Sequence, residues 1–198
     1  LSDYADKLTT ESREKYFDRI RQSVQLMNNL LDDIITYNKA EVARISFNPE
    51  PVNIEQMCLN LTREMQYLAK GKSIIDLTIN NGNIDVKIDE KLVRQILINL
   101  LSNSIKFSLP DSIIQFDVNV NENDIEFKIT DQGIGILEVD KPKIFDPFYR
   151  GKNIGTASGT GLGLSIVKNS IDAHKGTISF DSIADKGTVF TVNIPFTL

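Results

Sequence analysis

The 198-residue sequence has little of what several classes of protein depend on. It contains one cysteine, Cys58, so no disulfide framework can form within one chain. No apolar run reaches the roughly 18 residues that a membrane span requires. Lysine and arginine number 22 against 27 acidic residues, which gives a net charge of −5 without any basic cluster. Because nucleic-acid binding depends on neutralising phosphates, we expect no nucleic-acid partner.

The remaining composition is that of an ordinary folded protein, with 41% hydrophobic and 25% charged residues. The length suits one large domain, or a compact domain with an accessory element. The chain begins at Leu1, in a stretch typical of the end of a helix, and we expect it to be part of a longer protein. Any membrane attachment would then come from regions outside this chain. Cys58 falls on the apolar side of a predicted helix and is interpreted as a core residue.

A long amphipathic helix is predicted near the N-terminus, from about Thr9 to about Ile45. Its apolar residues recur at alternating spacings of three and four, at Phe17, Ile20, Val24, Met27, Leu31 and Ile34. This is the seam of a coiled coil or helical bundle. A helix of about 35 residues spans about 50 Å, which is more than one small domain can cover. The seam therefore predicts a neighbouring helix or a second copy of the chain, and packing on its own domain is the alternative.

Two prolines end this helix and mark a domain boundary. Pro49 and Pro51 lie too close together for a helix to continue through them. We therefore divide the chain into an N-terminal helical segment at 1–46, a linker at 47–53 and a second domain at 54–198.

The second domain alternates helices with pairs of strands. Asn53 and Asp89 are predicted to cap its first two helices, and the turn Asn81-Gly82 predicts a hairpin between its first two strands. Helices are expected at 54–70, 92–108 and 162–173, and strands at 73–80, 84–88, 112–120, 124–130, 176–181 and 188–196. This order predicts an α+β fold, a two-layer α/β sandwich with a mixed sheet and its helices on one face.

The predicted helix at 92–108 is apolar around most of its circumference but carries a polar stripe. Gln95, Asn99, Asn103 and Lys106 recur at i, i+4, i+8 and i+11, which places them on one face. Buried amide and ammonium groups are costly without partners. The stripe therefore either faces a polar ligand or forms the one exposed edge of a core helix.

Two glycine-rich motifs border a long loop. The run Asp131-Gln132-Gly133-Ile134-Gly135 directly follows a strand, where an acid can accept hydrogen bonds from a ligand, although an ordinary turn uses the same residues. The run Gly159-Thr160-Gly161-Leu162-Gly163-Leu164 opens a helix, where free backbone N–H groups can point at an anion. No strand directly precedes this second run and no Gly-Lys-Ser/Thr follows it, which argues against dinucleotide and P-loop motifs.

Aromatic and basic residues occupy the loop between the two motifs. Phe145, Phe148 and Tyr149 can anchor a loop that is otherwise rich in glycine. Arg150 and Lys152 are either placed to meet phosphates or are solvated charges. A loop of this length inside a compact domain is usually functional or disordered.

Four segments follow one another in the chain: the helix with the polar stripe, the glycine-rich run that begins at Asp131, the loop with the aromatic and basic residues, and the glycine-rich run that begins at Gly159. In this order they resemble the ATP-binding domain of the sensor histidine kinases of two-component systems. That domain has a Bergerat-type fold and belongs to the superfamily of gyrase, Hsp90 and MutL. The resemblance covers about residues 51–198. The segment 1–46 is similar to the second helix of the kinases' dimerisation and phosphotransfer hairpin, and 47–53 to their hinge.

The resemblance implies a site for ATP and Mg²⁺. Asn103 would coordinate Mg²⁺ that bridges the phosphates, with Asn99 on the same face and Lys106 contacting phosphate. Asp131 would bind the adenine amino group. The other implied ATP-binding residues are Gly133, Gly135, Ile136, Phe145, Phe148, Tyr149, Arg150, Lys152, Gly159, Thr160, Gly161, Leu162, Gly163 and Leu164. The phenylalanines would hold a lid that the second group of glycines allows to close.

The resemblance also implies a reaction and its partners. The γ-phosphate would pass to a histidine on the dimerisation helix, and then to an aspartate of a response regulator receiver domain. The only histidine, His174, lies at a helix end where the family has no acceptor. We therefore expect the acceptor upstream of Leu1, and no autophosphorylation by these residues alone. The N-terminal helix would form a homodimer, and the catalytic part would lie in the cytoplasm.

Two alternatives remain open. A degenerate kinase would keep the nucleotide-binding fold as a scaffold and transfer nothing. An ATP-hydrolysing clamp of the gyrase or Hsp90 kind would carry a glutamate four residues before the metal-binding asparagine. Asn99 stands at that position, and an amide cannot deprotonate water.

Overall fold

The computed structural model describes residues 13–17, 20–21, 24, 27, 46–155 and 159–196. The described residues up to Met27 are helical and exposed. The rest of the predicted N-terminal helix, including Leu31 and Ile34 of its seam, lies outside the described residues.

The domain that follows contains three helices and seven strands within the described residues. In chain order they are β1 (Glu50–Asn53), α1 (Ile54–Ala69), β2 (Ser73–Asn80), β3 (Asp85–Ile88), α2 (Glu90–Phe107), β4 (Ser112–Val120), β5 (Asp124–Asp131), α3 (Gly163–Ala173), β6 (Thr177–Ile183) and β7 (Gly187–Pro195). A short 3-10 helix spans Lys141–Lys143. The predicted helices and strands are confirmed to within two residues at each end, whereas β1 and the 3-10 helix were not predicted.

Side-chain caps fix where the first two helices begin. Asn53 accepts a hydrogen bond from the Gln56 amide at 3.0 Å, and Asp89 accepts one from the Leu92 amide at 3.1 Å. Both caps were predicted, and each satisfies one of the unpaired N–H groups at a helix start. At the other end of α2, the Lys72 ammonium donates to the carbonyls of Ile105 and Lys106 at 2.9 and 2.8 Å. A cation at this end complements the helix dipole.

The main sheet has five strands in the order β2-β4-β5-β7-β6. Strand β2 is parallel to β4, and the other neighbours are antiparallel, so the predicted mixed sheet is confirmed. Burial alternates along the central strands, with Phe116, Phe127 and Ile129 buried on the face that packs in the core. Gln66 of α1 covers part of the edge strand β2, since its side chain bonds the Ser73 carbonyl and the Ile75 amide at 2.9 and 2.8 Å.

The predicted hairpin between β2 and β3 is wrong. Strand β2 pairs with β4 instead, and β3 forms a separate two-stranded sheet with β1. The carbonyls of Gly82 and Ile84 accept hydrogen bonds from the Glu55 and Ile54 amides at 3.0 and 3.4 Å. The first amides of a helix have no partner within the helix, and those of α1 bind the segment that follows β2. These contacts direct that segment away from the main sheet. The division of the chain at residues 46 and 54 stays a prediction, although β1 lies within the predicted linker.

The core forms where α2 packs against the sheet and the other two helices. Val93, Ile96, Leu97, Leu100 and Leu101 of α2 are each no more than 1% exposed. Cys58 belongs to the same core, as predicted, and burial raises the pKa of its thiol to about 12. Among the described residues, no helix combines the length and apolar character that crossing a lipid bilayer demands.

Candidate functional site

A groove opens beside the polar stripe of α2, between the end of β5 and the start of α3. Ten of the predicted site residues line it, namely Asn103, Lys106, Asp131, Gly135, Ile136, Tyr149, Arg150, Gly161, Gly163 and Leu164. Residues without a predicted role complete its lining, namely Phe107, Ile134, Asp140, Ile144, Gly151, Asn153, Ile154, Thr188 and Phe190. The structure thus brings together side chains from all four sequence segments.

The other predicted site residues lie around the groove and are not part of its lining. They are Asn99, Gly133, Phe145, Phe148, Lys152, Gly159, Thr160 and Leu162. Leu162 is fully buried, and the Phe145 ring packs on the Phe180 ring with centroids 6.0 Å apart. Asn99 lies beside the start of α3, since a Cβ atom added to Gly163 would be 2.8 Å from its Oδ1 atom. These residues support the groove from behind or border it.

Asp131 is buried at the end of β5 and held by three hydrogen bonds. Its Oδ1 atom accepts from the amides of Gly133 and Thr188 at 2.9 and 3.3 Å, and Oδ2 accepts from the Ser104 hydroxyl at 3.2 Å. Burial raises the pKa of this carboxyl, and the three hydrogen bonds oppose that rise. The result is a fixed acceptor in the wall of the groove.

Close backbone contacts hold the loop that follows Asp131. A Cβ atom on Gly135 would lie 2.1 Å from the Ile183 carbonyl oxygen, and the residue has a φ of +62°, so only glycine fits. The Asp185 amide, in the same β6–β7 turn, donates to the Ile134 carbonyl at 2.9 Å. The turn between the last two strands therefore fixes one wall of the groove.

Two cations, Lys106 and Arg150, line the groove and affect each other electrostatically. Lys106 is half-buried, and its Nζ atom lies 4.5 Å from the centroid of the Phe107 ring. Burial lowers the pKa of Lys106, and the positive charge of Arg150 lowers it further. Repulsion between two cations that a fold brings together is relieved when an anion binds between them. The part of the groove beside these two cations is therefore suited to an anionic group.

Asp140 anchors the segment that carries Arg150, and sequence reasoning missed it. Its buried carboxylate accepts hydrogen bonds from the Tyr149 hydroxyl and the Lys152 amide, both at 2.8 Å. The bond from the Lys152 amide is the main reason that the pKa of Asp140 is lowered. Asn153 adds a third attachment by donating to the Gly135 carbonyl at 3.1 Å. An isolated acid in an aperiodic loop gives no sequence signal for such a role.

His174 is buried at the end of α3, away from the groove. Its Nε2 atom accepts from the Asp89 amide at 3.3 Å, so Nδ1 carries the proton and donates to the Ser170 carbonyl at 3.0 Å. Burial lowers the pKa of the imidazole. Both nitrogens are thus used inside the fold in the neutral form.

We expect the free energy of unfolding to fall as the pH drops below about 6.5, the ordinary pKa of histidine. The folded chain holds His174 neutral with a lowered pKa, so the unfolded chain binds an extra proton between the two pKa values. The stabilisation is complete above the unfolded pKa and is lost as the pH falls towards the folded one. Urea unfolding across this range measures it, and His174→Gln should flatten the dependence. An equally steep dependence in that variant would contradict the assignment.

The C-terminal part of the chain matches a known family. Residues 88–198 match the family described as histidine kinase-, DNA gyrase B-, and HSP90-like ATPase. The chain therefore belongs to this family, as its motifs predicted. The matched range includes α2, both glycine-rich motifs and the loop between them.

Individual relatives are sensor histidine kinases. The circadian input-output histidine kinase CikA of Synechococcus elongatus is 32% identical over an alignment of 195 residues, which covers 94% of this chain and 25% of that protein. Sensor histidine kinase WalK of Bacillus subtilis is 31% identical over an alignment of 180 residues, which covers 89% of this chain and 30% of that protein. The chain thus spans between a quarter and a third of these relatives.

A solved structure shares the fold. Full-length ShkA in complex with AMPPNP superposes with a TM-score of 0.80 and 26% identity, over 96% of this chain and 40% of that one. The predicted resemblance and the predicted α/β fold are therefore confirmed.

Proposed function

We propose that this chain is the catalytic core of a sensor histidine kinase, which binds Mg-ATP and transfers its γ-phosphate to a histidine on a dimerisation helix. The observation that carries the proposal is one groove lined both by a buried acid, Asp131, and by the cations Lys106 and Arg150. A purine base needs a hydrogen-bond acceptor for its amino group, and a triphosphate needs positive charge. The kinase relatives and the AMPPNP complex of ShkA support the same reading.

The base would bind beside Asp131. The carboxylate would accept a hydrogen bond from the adenine amino group. Gly135, which lines the groove, would lie beside the base, and Gly133 would lie next to it behind the carboxylate that its amide binds. Ile136, which lines the groove, adds apolar surface for the ring. The hydrogen bonds from Gly133, Thr188 and Ser104 fix the acceptor before the nucleotide arrives.

The phosphates and the metal would bind beside the two cations. Asn103 lines the groove, and an amide oxygen is the type of ligand that suits Mg²⁺ when the ion also keeps water and phosphate ligands. Lys106 and Arg150 would contact phosphate oxygens, and the start of α3 adds the positive end of a helix dipole. Mg²⁺, when bound, would neutralise part of the negative charge of the phosphates. Asn99 lies on the same side, next to Gly163.

The remaining predicted residues divide between contact and support. Tyr149, Gly161, Gly163 and Leu164 line the groove, and we propose that they touch the nucleotide directly. Those outside the lining would shape its phosphate end from behind: Phe145, Phe148, Lys152, Gly159, Thr160 and Leu162. Asp140 joins this second set as the anchor of Tyr149 and Lys152.

The partners and location remain part of the proposal. The seam of the predicted N-terminal helix favours a homodimer, and the solved complex of histidine kinase ThkA with response regulator TrrA supports a response regulator as the phosphoryl acceptor. The catalytic part would lie in the cytoplasm, where ATP is available. A hydrolysing clamp is disfavoured, because position 99 holds an amide whose Nδ2 atom donates to the Gln95 carbonyl at 2.9 Å. A degenerate scaffold with nucleotide binding but no transfer is the second candidate.

Incubation with γ-labelled ATP tests the proposed reaction. We expect no stable label on the 198-residue chain alone, and label on a histidine when the chain is joined to its native upstream helix. Label on the short chain would contradict the placement of the acceptor. A longer chain that binds ATP but takes up no label would establish the scaffold instead.

Asn103→Ala should remove most of the magnesium dependence of nucleotide binding. Loss of an interaction with a charged group costs about 1.5–3 kcal/mol, so we expect affinity for Mg-AMPPNP to fall at least about tenfold. Without magnesium, the variant and the wild type should bind alike. Calorimetry with and without EDTA measures both, and Asn60→Ala on exposed α1 surface is the control. Unchanged affinity in the Asn103 variant would rule out this metal ligand.

Asp131→Asn should weaken ATP binding more than GTP binding. The asparagine oxygen can still accept from the Gly133 and Thr188 amides, so the fold is preserved, but its NH₂ group opposes an adenine amino group. When a site is built to form a hydrogen bond with one polar group of its ligand, removing that hydrogen bond lowers the affinity about tenfold or more. Competition of ATP and GTP for a fluorescent nucleotide measures the change. Asp76→Asn, exposed on β2, is the matched control, and an equal ratio in both variants would refute the role.

A further inference from the structure

The first two residues of the predicted linker, Phe47 and Asn48, are bound to the catalytic domain at a point away from the groove. The Phe47 ring meets the His174 ring edge to face, with centroids 5.0 Å apart and an interplanar angle of 87°. The backbone N–H group of Asn48 donates a hydrogen bond to Asp89 Oδ2 at 2.9 Å. We call these four residues the linker anchor.

The two residues on the domain side of the linker anchor are held in place by the helices themselves. Asp89 and His174 are only 6% and 4% exposed. Asp89 caps α2 through Oδ1 and donates its amide to His174 Nε2, while His174 Nδ1 donates to the Ser170 carbonyl. This leaves Asp89 Oδ2 and one side of the imidazole ring to contact the linker. The linker therefore meets a preformed surface where α2 begins and α3 ends.

The chain stays bound to the domain after the linker anchor. Strand β1 pairs with β3, so that Glu50 lies opposite Ile88 and Val52 opposite Val86. Pro49 and Pro51 restrict the backbone between these contacts. The whole stretch 47–53 is thus held against the domain edge.

We propose that the linker anchor sets the point about which the catalytic domain turns, so that the joint with the N-terminal helix lies before Phe47 and not at the two prolines. The inference rests on the proposed kinase function. Releasing Phe47 and Asn48 would free about three residues and lengthen the tether by about 10 Å. A longer tether lowers the effective concentration of bound nucleotide at the acceptor and relaxes its orientation. The four residues are therefore positioning residues for phosphoryl transfer.

The position of the linker anchor separates this role from nucleotide binding. Asp89 precedes α2, an 18-residue helix about 27 Å long, and Lys106 lies in its last turn. His174 follows α3, whose first residue, Gly163, lines the groove. The linker anchor thus lies at the far ends of both helices, so its loss should slow transfer and leave nucleotide affinity unchanged.

The sole histidine makes docking of the linker directly measurable in the 198-residue chain. An aromatic ring at 5.0 Å shifts the NMR signals of the His174 ring, so Phe47→Ala should move them. Phe47→Tyr keeps the ring and should leave them close to wild type. Tyr67→Ala, which removes an aromatic side chain that is 84% exposed on α1, is the matched control. Phe47 is itself 45% exposed, so its truncation leaves the core intact.

The same variants in the longer chain that carries the acceptor histidine test the functional part. Phe47→Ala should slow phosphoryl transfer by about tenfold or more, since small misplacements of reacting groups cost up to about a hundredfold. Its Kd for Mg-AMPPNP should stay within about twofold, a split that general destabilisation would not produce. Phe47→Tyr should restore the rate, and Tyr67→Ala should leave it unchanged.

The outcomes separate the two hypotheses. If the longer wild-type chain, which carries the acceptor histidine, takes up no label, both the proposed function and this inference are overturned. Normal or faster transfer by Phe47→Ala overturns the inference alone, as does an unmoved His174 signal. A parallel loss of nucleotide affinity also overturns it, because the linker anchor would then act on the groove and not on the tether.

Discussion

The structure depends on one constraint, which is that α2 must bury most of its circumference and still keep an amide and an ammonium group at an open groove. The burial comes from a continuous set of leucines, isoleucines and valines that pack against the sheet and both other helices. Since each such side chain is worth about 1.5–3 kcal/mol when buried, the helix cannot rotate to hide its polar stripe. Asn103 and Lys106 are therefore held at the groove by the packing of their neighbours.

The sequence was most informative where a local rule decided the structure. Asn53 and Asp89 are capping residues by side-chain chemistry, and alternating burial in β4 and β5 follows from strand geometry, so these elements were predicted well. The prediction that β2 pairs with β3 was wrong because the Asn81-Gly82 turn is typical of a local hairpin. In the structure the segment at and after this turn instead binds the amides of Ile54 and Glu55, which are distant in the sequence. Long-range pairing of this kind has no local signature.

The candidate site shows the same division. The members of the glycine-rich motifs and of the polar stripe were found because their spacing carries information. Asp140, Asn153, Ser104 and Thr188 were missed, since each acts on residues of the site through hydrogen bonds that only the folded chain creates. The residues expected to touch a ligand were thus more visible in the sequence than those that hold them in place.

The side chain of Gln66 has a consequence for how the molecule behaves in a crowded solution. Strand β2 ends the five-stranded sheet, and an uncovered terminal strand offers its peptide groups to any extended segment that approaches. Gln66 occupies the Ser73 carbonyl and the Ile75 amide with its own donor and acceptor. A foreign strand would have to displace both contacts before it could extend the sheet here, so this margin of the domain resists self-association.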